Sequence, residues 1–355
     1  MDAVHIVGAG GIGCAIGHAL CTAGVAVTFV DADPAKIAWG RQNGVVVDRL
    51  PPRKATFLAF ADWQPPADAV ILLCTKCYDN TAVLERITVS AQLIPIQNGF
   101  DPLLHARAHA VEGIASFVSE CLPHQTHTRI TRRGKLHFGY RLSSNSDYSA
   151  LPSCLRALAE SRQPIAGGRI RVELVENILP YKYTKLMYNA AISPLASAAG
   201  VDNGDLLRLP MARGLFFDLI RENHAILERA GVSLGKVGPL HPSTVAAILR
   251  RPLLTHALAW AFYPGLRGTY CSMSGDLPAG RTEIDYYNGH LLDLAGDDSY
   301  PLNRRVYALI KRMERDRVAP HRGVLEELSG GRQPPESSNA QGTDAPRSEV
   351  WSGRH

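Results

Sequence analysis

The chain of 355 residues lacks the features that mark several classes of protein. Its seven cysteines are odd in number and irregularly spaced, which does not suit a disulfide framework and favours a reduced, cytosolic setting. No apolar run reaches the roughly 18 residues of a membrane helix, and the first residues lack the basic stretch of a secretory signal. The net charge of +5 comes without a basic patch interleaved with aromatics. We therefore expect neither a membrane nor a nucleic-acid partner.

Short apolar runs alternate with helical patterns over the first third of the chain. Strands are predicted at 3–7, 25–30, 45–47, 68–74 and 93–97, and helices at 12–23, from Pro34 onward and at 80–89. This alternation predicts a parallel sheet with right-handed crossovers, and hence the α/β class.

The pattern then changes. Alternating residues at 128–130 and 135–141, separated by Arg133 and Gly134, predict a hairpin that extends the sheet. A helix at 151–161 and a strand at 170–174 follow. Further helices are predicted at 177–191, 211–230, 242–250, 283–295 and 301–315, with Gly231 capping the second of these. We expect an α/β domain over 1–175, an all-helical domain over 176–328 and a disordered tail over 329–355.

A glycine-rich motif follows the first predicted strand and opens the first helix. It comprises Gly8, Ala9, Gly10, Gly11, Ile12 and Gly13. In a G-x-G-x-x-G loop the first glycine permits a tight turn, the second lets the backbone approach a pyrophosphate, and the third allows close packing of helix on sheet. The N–H groups of the helix N-terminus favour phosphate. The motif therefore predicts a Rossmann-type dinucleotide-binding domain.

The cofactor preference depends on Asp31, which ends the second strand about twenty residues after the glycines. An acid there binds the adenine ribose hydroxyls and repels a 2′-phosphate. This favours NAD(H). Arg41, taken as the nearest basic residue, offsets the preference in part and leaves NADP(H) open. Asp33 suits the N-cap of the following helix better than Asp31 does.

Three further segments carry a family resemblance. They run from Thr75 to Tyr78 with the later Pro95–Gly99, from Tyr181 to Leu195, and from Ser272 to Gly289 with its Thr-Glu-Ile-Asp stretch. Together with the glycine loop they resemble the ketopantoate reductases over roughly residues 3–316. The resemblance implies a Rossmann domain that binds a nicotinamide cofactor, a helical domain that closes over the substrate, and NAD(P)H-dependent reduction of a small 2-oxo acid.

The resemblance also implies roles for individual residues. Lys185 matches the catalytic lysine. The substrate-binding positions are Asn98, Asn189, Ser193, Asn203 and Ser272, and the positions that contact the cofactor, besides the glycine loop and Asp31, are Lys76, Asn98, Ser119 and Glu283. Ser119 is placed after a strand predicted at 111–118.

Helical spacing agrees with these roles. Lys185, Asn189 and Ser193 recur at every fourth position and therefore share one helix face. Lys185 is suited to polarise a ketone and protonate its oxygen. Lys182 lies roughly 60° away around the helix, and its replacement is expected to be mild. Ser193 and Thr269 stand where the family has asparagines, which leaves the identity of the oxo acid open.

Other functions remain alternatives. A reductase of imines, as in opine-type dehydrogenases, uses a similar plan, and a non-catalytic dinucleotide sensor needs only the binding fold. Cys74 and Cys77 have redox spacing, but packing at a strand end explains them better. The dispersed histidines, including His124 and His127, show no ligand spacing, so no metal is expected. The partner is a small-molecule oxo acid, and a homodimer is the candidate assembly.

The tail offers a direct test. Residues 329–355 have one large apolar side chain, Trp351, among prolines, serines and glycines. A chain that ends at Leu328 should therefore keep the melting temperature and the reductase activity of the full chain. Thermal unfolding and steady-state kinetics of the two chains check this, and a loss of either property would show that the tail docks.

Overall fold

A computed structural model describes residues 4–88, 90–107, 109–141, 151–296 and 299–330. From residue 331 onward, the predicted tail lies outside the described residues. The same holds for residues 3 and 89 at the ends of a predicted strand and a predicted helix.

The first part of the chain is built on a parallel sheet of five strands in the order β4-β2-β1-β5-β6. The strands are β1 (Val4–Val7), β2 (Val27–Asp31), β4 (Thr56–Ala59), β5 (Val70–Leu73) and β6 (Gln92–Pro95). Their registers place Ile6 beside Phe29 and beside Leu72, all fully buried. Buried apolar runs of this kind are typical of a sheet covered on both faces. The predicted α/β class is confirmed, and the strand at Thr56–Ala59 was missed.

Helices cover this sheet and begin at the carboxyl ends of its strands. They are α1 (Gly11–Thr22), α2 (Pro34–Asn43), α3 (Asn80–Leu84) and α4 (Pro102–Ala106), with α5 (Ser153–Glu160) later in the chain. Asp33 caps α2, since its carboxylate accepts hydrogen bonds from the backbone N–H groups of Ala35 and Lys36 at 3.0 and 3.3 Å. The proline at the first helical position completes the start that the sequence predicts.

Two small sheets replace the predicted hairpin at 128–141. Their strands are β3 (Val46–Val47), β7 (Val111–Ala115), β8 (Val118–Cys121), β9 (His127–Arg132), β10 (Gly134–Tyr140) and β11 (Ile170–Asn177). β9 pairs with β8 and β10 pairs with β7, both antiparallel. The true hairpin turn is therefore at 122–126, and Arg133 marks a bend in its second arm. A Cβ on Gly134 would lie 2.7 Å from the backbone of Ser116, so glycine allows the second arm to bend while it packs closely against the first.

This arrangement corrects two expectations. Residues 128–130 and 135–141 do not pair with each other, because the bend sends them into separate sheets. The single strand predicted at 111–118 is likewise two strands, β7 and β8, which are interrupted at 116–117.

The second part of the chain is helical. Its helices are α6 (Leu179–Ala199), α7 (Asp205–Arg208), α8 (Pro210–Arg229), α9 (Pro242–Leu249), α10 (Pro252–Leu266), α11 (Met273–Asp276), α12 (His290–Ala295), α13 (Pro301–Asp316) and α14 (Gly323–Leu328), with a π-helical turn at Asp285–Gly289. One apolar cluster unites α6, α8 and α13, and the sheet has its own clusters. The last strand ends at Asn177, and α6 begins at Leu179.

The helix α6 continues eight residues beyond the predicted end at 191, through Pro194. A proline inside a helix leaves the carbonyl four residues earlier without its N–H partner. Here that carbonyl belongs to Ala190, and the side-chain amide of Asn288 donates to it at 3.0 Å. A side chain from another element therefore lets the helix pass its proline.

A buried ion pair joins the two parts of the chain. Glu112 on β7 and Lys182 on α6 are 3% exposed each, and the lysine ammonium contacts the carboxylate. His109 and Arg141 lie 2.8 and 2.9 Å from the other carboxylate oxygen. Burial alone would raise the pKa of Glu112, but Lys182 and His109 reverse this and lower it to about 2. The mild effect expected for replacing Lys182 does not suit a buried cation.

Lys182→Met should therefore destabilise the fold. Removing one partner of a buried pair costs about 3 kcal/mol, so the free energy of unfolding in urea should fall by about that amount. The matched control is Lys135→Met, because Lys135 forms a half-exposed pair with Glu173 and such pairs contribute less than about 1 kcal/mol. Equal losses in the two variants would contradict a structural role for Lys182.

Candidate active site

The glycine loop meets the steric demands that its sequence predicts. Gly8 has φ of +100°, and a Cβ there would lie 2.7 Å from the carbonyl carbon of Cys74. A Cβ on Gly13 would strike the carbonyl oxygen of Gly8. Gly10 differs, because no heavy atom lies within 4 Å of its Cβ position. The loop is therefore packed behind and open in front, where the N-terminus of α1 begins.

Asp31 supports this loop from the end of β2. One carboxylate oxygen accepts from the backbone N–H of Ala9 at 2.8 Å and lies 3.3 Å from the ammonium of Lys36. The other oxygen accepts from the backbone N–H of Asp33 at 3.0 Å. The expectation that Arg41 is the nearest base is wrong: its side chain donates to the carbonyl of Phe57 at 3.1 Å, and Lys36 takes the place beside Asp31.

A cleft of about 1260 Å³ opens in front of the glycine loop, between the sheet and the helical part. Its walls include these predicted site residues: Gly10, Gly11, Ile12, Lys76, Asn98, Ser119, Lys185, Asn189, Ser193, Asn203, Ser272 and Glu283. The other predicted positions do not line the cleft: they are Gly8, Ala9 and Gly13, which belong to the glycine loop, and Asp31, which supports it. The structure therefore brings residues from distant parts of the sequence to one cleft.

Lys185 projects into this cleft from α6. Among the described residues it has no carboxylate within ion-pair distance. Burial, followed by the nearby charge of Arg132, lowers the pKa of Lys185 to about 8. Asn189 and Ser193 line the same cleft one and two helical turns later, as their spacing predicts. A lysine in this state is well suited to exchange a proton near neutral pH.

The strand ends supply a second set of polar groups. Gln97 is fully engaged, since its amide donates to the carbonyl of Thr75 at 2.8 Å and to the side chain of Asn80 at 2.7 Å. Asn98 comes next, and its side-chain oxygen is buried without a hydrogen-bond partner in the described part of the chain. Because a buried acceptor left unpaired is costly, this oxygen is available to a hydrogen-bond donor in the cleft.

Lys76 crosses the cleft to the helical part. Its ammonium lies 2.5 Å from Asp276 and 3.4 Å from Glu283. Burial would lower the pKa of Lys76, but Glu283 and Asp276 outweigh it and hold the pKa above its usual value. Glu283 also accepts from the backbone N–H of Cys77 at 3.3 Å and from the hydroxyl of Tyr287 at 3.1 Å. These contacts tie the ends of β5 to the segment after α11.

The two departures from the family pattern lie together in the cleft. Thr269 holds Asn203 through its hydroxyl, which accepts from the Asn203 amide at 3.1 Å. The side-chain oxygen of Asn203 remains buried without a partner among the described residues. Ser193, 5% exposed, is a shorter side chain than the family's asparagine. This end of the cleft therefore carries a hydroxyl at each of the two positions.

Sequence reasoning assigned no role to several residues that line the cleft. Asp276 lies inside a quoted segment, yet its link to Lys76 joins positions 200 residues apart and has no local signal. Arg132 and Arg133 also line the cleft, although no motif in the sequence assigns them a role. Tyr188 also lines the cleft, and its spacing of three residues from Lys185 on the same helix is the signal that could have found it.

The cysteines and histidines that the sequence raised as candidates have ordinary packing or hydrogen-bond partners in the protein. Cys74 and Cys77 are free thiols, and burial raises the pKa of Cys74 to about 12. His124 lies 2.9 Å from the carboxylate of Asp33, and His127 lies 2.9 Å from the carbonyl of Asp48. The described residues contain no group of three or more metal-ligating side chains. No helix in the described ranges has both the length and the apolar character to cross a membrane.

Comparisons with known proteins agree with this geometry. The family model described as ketopantoate reductase PanE/ApbA matches residues 4–143, and its C-terminal counterpart matches residues 177–314. The 2-dehydropantoate 2-reductase of Pyrococcus horikoshii is 23% identical over 320 residues, 88% of this chain and 97% of that protein. The enzyme of the same name from Pyrobaculum aerophilum is 32% identical over 166 residues, 46% of this chain and 53% of that protein.

Solved structures show the same fold. A PanE/ApbA family ketopantoate reductase from Ralstonia eutropha has a TM-score of 0.66 at 23% identity, covering 88% of this chain and 99% of that one. D-mandelate dehydrogenase with NADH and anilino(oxo)acetate has a TM-score of 0.68 at 17% identity with the same coverage. Because the two family models together span both parts of the chain, the resemblance found in the sequence is confirmed: the chain belongs to the ketopantoate reductase family.

Proposed function

We propose that the protein reduces a small 2-oxo acid to the 2-hydroxy acid with a nicotinamide dinucleotide. The observation that carries the proposal is the cleft position of Lys185. Its lowered pKa and the lack of a carboxylate partner among the described residues leave it free to act on a ligand. The curated relatives are named 2-dehydropantoate 2-reductases. The substrate is 2-dehydropantoate or a related oxo acid of a specialised pathway, because Ser193 and Thr269 alter the polar wall.

The residues present fit a dinucleotide. The open space before Gly10 is a cradle that any Cβ would fill, and the adjoining N-terminus of α1 offers free N–H groups to phosphates. Ser119 packs against Gly11 from the opposite wall. The unpartnered oxygen of Asn98 is available to a carboxamide or a hydroxyl. When bound, the nicotinamide supplies the hydride, while the protein orients and polarises the substrate.

Proton transfer falls to Lys185. In the direction of reduction its ammonium donates a hydrogen bond to the ketone oxygen and then gives up the proton as the alkoxide forms. Asn189, one turn later, and Ser272, at the start of α11, offer hydrogen bonds to the substrate's other oxygens. Lys76 is neutralised by Asp276 and Glu283, so it positions the wall and does not compete with Lys185 for the proton.

The apolar wall bears on the size of the substrate. Ile192 on α6, Phe216 on α8, and Phe262 and Leu266 on α10 line the cleft. These side chains give an apolar substituent a place opposite the polar groups, as small-molecule sites commonly do.

We propose that the protein acts as a cytosolic enzyme, in keeping with its free cysteines, and as a homodimer; a ketopantoate reductase of Staphylococcus aureus is described as dimeric.

Lys185→Ala tests the reaction itself. Loss of a positioned general acid typically lowers the rate by about 10²–10⁴-fold, so kcat should fall by that factor while NADH still binds to the untouched glycine loop. Absorbance of the reduced nicotinamide measures the rate, and fluorescence titration measures binding. Lys54→Ala, outside the cleft, is the control. An imine reductase would oxidise NADH only when an amine is added together with the oxo acid. A non-catalytic sensor would show no turnover in either the unmodified protein or the variant.

The pH profile provides a further readout of the same residue. Because Lys185 must be protonated for reduction and its pKa is about 8, kcat/KM should be constant below that pH and fall as pH rises through it. A variant without the lysine should lose this limb. If Lys185→Ala keeps most of its kcat, the proposed function fails at its central residue.

The cofactor preference is tested at Asp31 and Lys36. The carboxylate of Asp31 repels a 2′-phosphate, so NADH is expected to be preferred over NADPH. Asp31→Asn keeps an acceptor for the Ala9 N–H and should lower the ratio of kcat/KM with NADH to kcat/KM with NADPH. Lys36→Ala removes the neighbouring cation and should raise it. A clear preference of the unmodified protein for NADPH would contradict the assignment.

A further inference from the structure

The cleft holds more positive charge than the protein neutralises. Its basic side chains are Lys76, Arg132, Arg133, Lys135, Lys185 and Lys236. Lys76 pairs with Asp276 and Glu283, and Lys135 pairs with Glu173. The other four have no carboxylate within 4.0 Å in the part of the chain that the structure describes. An anionic ligand is therefore the missing partner.

Arg132 is the member of this set that spans the cleft. It is the last residue of β9, and it lies opposite Val118. Its Nε is 4.0 Å from the Cβ position of Gly265 on α10, in the helical part. Because Gly265 has no side chain, the guanidinium occupies the space between the two walls, with no hydrogen-bond or ion-pair partner among the residues that the structure describes. A residue placed in this way contacts whatever fills the cleft.

Arg132 also shares its space with Lys185. Its charge is the one that adds to burial in lowering the pKa of Lys185. Burial raises the pKa of Tyr188, the titratable neighbour on α6, to about 12, so this phenol is neutral at physiological pH. Arg132 is therefore the charged group that acts on the proton donor when the cleft is empty.

We propose that Arg132 binds the carboxylate of the 2-oxo acid while Lys185 donates to the ketone oxygen, an assignment that rests on the proposed function. In a 2-oxo acid the carboxylate is bonded directly to the ketone carbon, so its counter-charge must stand next to the proton donor. The other candidate substrate contacts, Asn98, Asn189 and Ser272, are neutral. Only a cation supplies the charge, and the guanidinium fork matches the two carboxylate oxygens.

The arrangement couples binding to catalysis. A carboxylate on Arg132 neutralises the charge that lowers the pKa of Lys185, so the lysine holds its proton more firmly once the substrate is bound. The proton is then retained until the alkoxide forms. A neutral ketone gains no such effect, which makes the carboxylate a determinant of specificity.

Kinetics of Arg132→Met test the assignment with 2-dehydropantoate and its uncharged lactone, both offered with NADH. Hydrogen bonds to charged groups contribute about 1.5–3 kcal/mol, so kcat/KM for the acid should fall about 10- to 100-fold, mainly through KM. The lactone should be affected less than threefold, and the KM for NADH should not change. Arg132→Lys keeps the charge without the fork and should lie in between. Arg129→Met, exposed on the same strand, is the control.

The same variant has a second readout. Without Arg132 the pKa of Lys185 should rise, so the basic limb of kcat/KM should move to higher pH, which a merely structural role would not cause. An unchanged ratio of the kcat/KM values for acid and lactone would overturn the proposal. A raised KM for NADH alone would also overturn it and would assign Arg132 to the cofactor phosphates.

Failure of the proposed function can be told apart from failure of this inference. If the unmodified protein reduces no oxo acid, oxamate, an unreactive analogue, is titrated into protein with NADH and followed by nicotinamide fluorescence. A tenfold or greater loss of oxamate affinity in Arg132→Met supports the carboxylate site. Equal affinity in both proteins, or no binding to the unmodified protein, overturns it.

Discussion

The buried contact between Glu112 and Lys182 fixes the position of the helix that carries Lys185. Glu112 belongs to β7, and Lys182 lies in the first turn of α6, three residues before Lys185. Two buried charges at this distance must stay together, because separating them would leave either one desolvated and unpaired. The start of α6 is therefore held against the sheet, and Lys185 is held at the cleft. Lys182 is thus paired with Glu112, while Lys185 on the same helix faces the cleft.

The parts of the site that sequence reasoning recovered depend on local backbone requirements. The glycine loop is an example, since Gly8 needs a positive φ and Gly13 a close approach, and both demands are visible in the order of residues. The cap at Asp33 and the shared face of Lys185 and Asn189 follow from the same short-range geometry. These features repeat wherever a strand, a tight turn and a helix follow one another.

The parts that sequence reasoning missed depend on partners far along the chain. Lys182 and Lys185 look alike on one helix, and only the strand bearing Glu112 distinguishes the paired lysine from the one that faces the cleft. Arg132 was not assigned to the cleft, because the bend at 133–134 that places it there depends on packing against Ser116. The end of α6 was misplaced since the partner of the Ala190 carbonyl comes from residue 288.

That last contact has a mechanical consequence. The carbonyl released by Pro194 and the amide of Asn288 join the middle of α6 to the π-helical turn at Asp285–Gly289, which directly follows Glu283. Asn288 also donates to Asn303 on α13 at 2.8 Å. These hydrogen bonds join the helix bearing Lys185 to the segment bearing Glu283, so the two form one wall of the cleft. If the cleft widens to admit a ligand, the ion pairs of Lys76 with Asp276 and Glu283 must lengthen, because they connect the sheet side of the cleft to the helical side.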